Sequence, residues 1–163
     1  MRKVIVNSTP LIILSNIGHL QILKSLYQQI FIPSAVFKEV TAKTDSACQQ
    51  IFQNFDWIQV LECKNFDRKI YPPKLHSGEI EVLVLAQDLN ADLIVLDDNA
   101  AKKTAKFLGL TVTGTLGILL KAKREGFIDS TQSAINLMLE KGFYLSDSVI
   151  KLALSATNEI GAV

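Results

Sequence analysis

The chain has 163 residues, is 48% hydrophobic and 20% charged, and sets 17 basic against 16 acidic residues for a formal charge of +1. That balance excludes a disordered polymer and a polycationic nucleic-acid coat, so contact with nucleic acid must rest on a local patch. Cys48 and Cys63 form no CxxC or Cys/His pattern, which argues for reduced thiols in a cytoplasmic protein and against a disulfide or zinc site.

Val4-Ile5-Val6 reads as a β-branched strand. It runs into Asn7-Ser8-Thr9-Pro10, where a polar cap followed by proline predicts a helix start. That helix is expected over Leu11 to about Asn16, with a second from His19 to Tyr27. The apolar run after Met1-Arg2-Lys3 stops at Asn7, too short for a signal peptide. No stretch approaches the ~18 apolar residues that cross a bilayer, so a soluble protein with no membrane partner is expected.

Ile30-Phe31-Ile32 is the next strand, broken at Pro33, and Ser34 caps a helix through Val40 that carries Glu39. A helical continuation over 44–55 and a strand over 57–61 follow. Residues 62–76 are polar and contain Pro72-Pro73, which predicts a surface loop placed to close over a site. Ser77-Gly78-Glu79 opens a helix through Asp88 with apolar residues along much of its length.

Then come a strand over 93–96, a helix from Asn99 to Leu108, a stop at Gly109 and a strand over 110–112. Helices are expected over 116–124, 130–141 and 146–155. Alternating strands and helices predict an α/β fold, a three-layer α/β/α sandwich with a central parallel sheet. It is expected to form one domain over 1–163, with C-terminal helices from about 130.

The run Leu93-Ile94-Val95-Leu96-Asp97-Asp98-Asn99 ends a buried-type strand on adjacent carboxylates. Ligands in open α/β sheets collect beyond the carboxyl ends of the strands. Acids gathered there are costly unless a cation or several donors neutralise them. Asn7-Ser8-Thr9, Glu39, and Glu79 with Glu81 fall at comparable positions of other β/α units. Together they form an oxygen-donor set suited to Mg²⁺ or Mn²⁺ with substrate phosphate.

Each residue also has a plainer account. Glu79 complements a helix macrodipole, Glu81 is a solvated side chain, Glu39 pairs with a lysine along its helix, and Asp97 or Asp98 caps a helix. Lys102 and Lys103 follow Asp98 and suit phosphate contacts, and equally a wet helix face. His76 reads as an exposed loop residue, and His19 carries no role.

The segments N-S-T-P-L-I (7–12), I-P-S-A-V-F-K-E (32–39), G-E-I-E-V-L-V-L-A (78–86), V-L-D-D-N-A-A-K-K (95–103) and G-L-T-V-T-G-T-L-G-I-L-L-K-A-K (109–123) together resemble PIN-domain proteins. The likeness covers about residues 3–127 and is nearest to a PIN-like branch related to VapC-type toxins. The resemblance implies an α/β/α sandwich and a Mg²⁺- or Mn²⁺-dependent endoribonuclease, the toxin of a prokaryotic toxin–antitoxin pair. RNA is then the substrate and a small antitoxin protein a partner, in the cytoplasm. The apolar C-terminal helices around Ile135, Leu137, Met138, Leu139, Phe143 and Leu145 offer a groove for it, a homodimer face, or simply intramolecular packing. The resemblance places the four functional positions on Asn7, Glu39, Glu79 (or Glu81) and Asp98. Glu39, Glu79, Asp97 and Asp98 would hold metal, and Ser8, Thr9, Lys102 and Lys103 would bind substrate.

The departure is Asn7, where many PIN domains carry aspartate. A neutral amide offers one carbonyl oxygen without charge, which weakens cation binding. The second reading is therefore a PIN-like domain that has lost catalysis and serves as a binding or regulatory module. A phospho-acceptor receiver domain fails because the first strand ends in asparagine, and a dinucleotide-binding fold fails because no G-x-G-x-x-G follows it.

Overall fold

The computed structural model describes residues 2–43 and 55–158. Apart from Phe55, the continuation expected over 44–55 lies outside the described residues. Strands β1 (Val4–Val6), β2 (Ile30–Pro33), β3 (Ile58–Leu61), β4 (Leu93–Val95) and β5 (Val112–Thr113) form one sheet in the order β3-β2-β1-β4-β5. Every pairing is parallel, with Val4, Ile5 and Val6 opposite Leu93, Ile94 and Val95. β1 is central and its side chains are fully buried. An unbroken β-branched run suits such a strand, because helices cover both its faces.

The helices are α1 (Ser8–Asn16), α2 (Gln21–Tyr27), α3 (Ser34–Lys43), α4 (Ser77–Leu89), α5 (Asn99–Phe107), α6 (Thr115–Arg124), α7 (Thr131–Glu140) and α8 (Asp147–Ala156). α4 packs on β1 and β2 and beside α5, whereas α1 and α2 pack against α6. The result is the expected three-layer α/β/α sandwich. The main core joins the strands to Ile80, Leu83, Ile118, Leu119 and Met138, and a smaller cluster of Ile135, Ala153 and Leu154 seats α8. Among the described residues, no helix is long and apolar enough to cross a membrane.

One expectation is corrected. The strand over 110–112 begins instead at Val112, because Gly109 takes φ +77° and the Leu110 N–H returns to the Ala105 carbonyl at 2.9 Å. That helix-ending turn occupies residues 109 and 110 before pairing can start.

The 62–76 loop meets both ends of α4: its last residue, His76, donates its N–H to Glu79, while its middle turns toward Gln87. It contains a 3₁₀ turn (Arg68–Ile70), and the Arg68 guanidinium donates to the carbonyls of Tyr71, Pro72, Pro73 and Leu75. The Tyr71 hydroxyl donates to Gln87, near the end of α4 remote from Glu79.

Candidate active site

β1 and β4 are sheet neighbours whose crossovers leave in opposite directions, so the crevice beyond their carboxyl ends is the topological switch point of the sheet. Asn7 enters it directly after β1. It occupies the cap position of α1, yet its side chain makes no capping bond. Pro10, the third helical residue, has no N–H to offer. Asn7 is 3% exposed, and its Oδ1 is buried without a hydrogen-bond partner. A buried acceptor left this way costs about 1–3 kcal/mol.

Glu39 comes from α3 and meets the same point. A Cβ added at Gly78 would stand 3.1 Å from Glu39 Oε2 and 4.0 Å from Asn7 Oδ1. The first turn of α4 thus lies against both side chains, and glycine is what permits it.

Glu79 follows, with Oε2 accepting from the His76 N–H at 2.8 Å. Burial pushes its carboxyl above the usual range, and the charges of Asp98 and Glu39 push the same way. The His76 N–H and the His76 side chain oppose them.

Glu81 sits about 200° further round the helix and belongs elsewhere. Its carbonyl accepts from Cys63 Sγ at 3.7 Å. The Cys63 thiol is pushed up to about 11, first by burial and then by Glu81, Asp88 and Glu62. Of the two glutamates, Glu79 is the one that shares a field with Glu39 and Asp98.

The adjacent aspartates divide. Asp98 is exposed, and its Oδ2 caps α5 by accepting from the Ala101 N–H at 2.9 Å. Asp97 turns to the next β/α unit, where Oδ1 accepts the Thr115 N–H at 2.8 Å and Oδ2 accepts the Thr115 hydroxyl. Sequence reasoning missed Thr115 as a functional partner. The available signal was Thr113-Gly114-Thr115, a small polar turn opening a helix after a strand. A Cβ at Gly114 would fall 2.7 Å from Asp97 Oδ1 and 2.9 Å from Lys102 Nζ.

Lys102 and Lys103, expected to act together, are separated by the helix turn. Lys102 borders a groove of about 550 Å³ with Thr9, Asp97 and Thr115. Lys103 borders a different cavity, of about 440 Å³, with Tyr71 and Phe107. Ser8 is 3% exposed inside the first turn of α1, whereas Thr9 is exposed at the groove.

Among the described residues, no three or more His, Cys, Asp or Glu side chains are arranged to hold a metal ion. The donors at this end are mixed, a neutral amide oxygen beside carboxylates. The unpartnered Asn7 Oδ1 next to Glu39 is the kind of oxygen set that accepts a hard cation.

No curated protein matches the chain. A PIN-domain family model matches residues 3–159. PIN domains have a nuclease-type fold and generally depend on a divalent metal. With an all-parallel sheet, acids gathered at its switch point and a match over nearly its full length, this chain belongs to the PIN-domain family.

Proposed function

We propose that the chain, as one domain over 1–163, is a divalent-metal-dependent endoribonuclease acting in the cytoplasm. The observation that carries this reading is the buried, unpartnered Asn7 Oδ1, facing the side where Glu39 and the start of α4 converge. Glu39, Glu79 and Asp98 are assigned to hold Mg²⁺ or Mn²⁺, with Asn7 lending a neutral oxygen. When bound, such a cation polarises a phosphate ester and lowers the pKa of water.

The chain's other residues have positioning tasks. Asp97 fixes the Gly114–Thr115 turn, Lys102 meets phosphate charge, and Thr9 offers a hydroxyl in the groove. The likeness to VapC-type toxins supports assigning it as the toxin of a toxin–antitoxin pair, with a small antitoxin protein as its partner.

The neutral Asn7 and the commitment of Asp97 to Thr115 favour a second reading, a binding module without catalysis. Calorimetry with Mn²⁺ separates the two. The wild type binds, and Asp98→Asn binds at least about 100-fold more weakly, since the amide keeps an oxygen but removes a negative charge beside the cation. Asparagine caps helices as well as aspartate, so the loss reports the missing charge. Failure of the wild type to bind Mn²⁺ would transfer the assignment to the binding module, and binding with no cleavage of single-stranded RNA would do the same.

A further inference from the structure

A groove of about 550 Å³ lies beside the acids, and its lining mixes polar and apolar side chains. Asp97 and Asn99, which flank Asp98 in the chain, line it with Lys102 and Thr9. Leu116, Met138, Leu145 and Val149 add apolar surface, and Phe143 and Tyr144 supply aromatic rings. Gly114 and Gly117 line it too. A Cβ at Gly114 would collide with Asp97 and Lys102, and one at Gly117 with the Thr113 hydroxyl. Tyr144 is 87% exposed, so its ring is displayed at the rim.

A strand whose phosphate lies at the carboxylates would pass Lys102 and deliver its neighbouring nucleotide to this groove. The volume falls within the range of pockets that bind small organic groups. An aromatic ring in water beside apolar side chains, with a cation in the same groove, matches how proteins hold unpaired bases: stacking on the ring and charge on the phosphate. A base inside a duplex has both faces stacked already and cannot enter.

We propose that this groove is a nucleobase subsite for single-stranded RNA, with Tyr144 as the stacking platform and Lys102 on the adjoining phosphate. The proposal rests on the reading of the neighbouring acids as a site that acts on RNA.

The test measures fluorescence anisotropy of a short fluorescein-labelled single-stranded RNA, and of the same RNA annealed to its complement, in EDTA so that no cleavage occurs. Tyr144→Ala weakens single-strand binding about fivefold or more, the size of one lost stack. Tyr144→Phe retains it, and the duplex shows no difference between the two variants. Lys102→Met weakens both forms. Because Tyr144 is largely in solvent, its truncation leaves the core untouched.

Wild-type affinity in Tyr144→Ala overturns the proposal, as does equal loss for single strand and duplex, or capture of apolar peptide in preference to RNA. Mn²⁺ calorimetry keeps the two ideas apart. If Mn²⁺ fails to bind while the Tyr144 effect persists, the nuclease reading falls and the subsite stands. If Mn²⁺ binds and Tyr144 is silent, the subsite alone falls.

Discussion

At the amino end of the sheet, the Lys3 ammonium donates to the Leu89 carbonyl, the Lys3 N–H donates to Asp92, and Arg68 gathers four carbonyls of its own loop. At the carboxyl end, the Asn7 oxygen is buried with no partner, and Glu79 is pushed toward its neutral form by burial, Asp98 and Glu39. The amino end also keeps a buried group without a partner, the Trp57 indole N–H beside the start of β3, so what sets the carboxyl end apart is an unpartnered oxygen lying near carboxylates. An unsatisfied buried oxygen beside carboxylates is an arrangement suited to a cation. Asp97 is the exception at the carboxyl end, fully engaged with Thr115.

The largest expected effect tests that exception. Asp97→Ala strips the Thr115 N–H and hydroxyl of a charged acceptor, and Thr115 is 1% exposed. Urea denaturation should show a loss of about 2–3 kcal/mol, with Mn²⁺ affinity falling far less than in Asp98→Asn. An equal collapse of Mn²⁺ affinity would make Asp97 a ligand and dissolve the contrast between the two aspartates.

Arg68→Ala probes the amino edge and should cost about 1–2 kcal/mol by the same assay. RNA cleavage at saturating Mn²⁺ should be unchanged, because Arg68 bonds carbonyls of its own loop and Tyr71 ties that turn to Gln87, toward the end of α4 remote from Glu79.

Asn7→Asp sharpens the other side. An added carboxylate should tighten Mn²⁺ binding on the order of tenfold, while the metal-free protein loses stability as pH rises. Unaltered Mn²⁺ affinity would remove Asn7 from the donor set.

The smallest effect is a pH dependence. The folded Glu79 carboxyl keeps its proton to higher pH than the unfolded chain does. Over the interval above its ordinary 4.5, the folded state therefore binds more protons, and stability declines as pH rises. In chelator, Glu79→Gln should match the wild type at the acid end of that interval and be the more stable above it. A variant less stable at neutral pH would show that the bond to the His76 N–H outweighs the burial of charge.

The sequence made the frame readable because buried parallel strands are unbroken apolar runs and helices open on polar caps, as at Val4–Val6, Leu93–Val95 and Ser77–Leu89. It also brought Asn7, Glu39, Glu79 and Asp98 into one group by their places at successive strand ends. What it could not show depends on distant partners. Asp97 and Asp98 are chemically identical neighbours, and only Thr115, in a later β/α unit, makes them different. Glu79 and Glu81 differ only through distant partners, Glu79 sharing a field with Glu39 and Asp98 and Glu81 with Cys63. Lys102 and Lys103 parted for the same reason.

The pairing of β1 with β4 has a consequence for how the molecule comes into being. Val4–Val6 leave the ribosome before their partners Leu93–Val95, which follow about ninety residues later. A nascent chain that has emerged through Leu89 already carries Asn7, Glu39 and Glu79, yet lacks the strand that seats Asp98 beside them. Contacts so distant in sequence form late. The four side chains therefore cannot assemble until β4 has been made, and any product terminated before β4 is born without them in register.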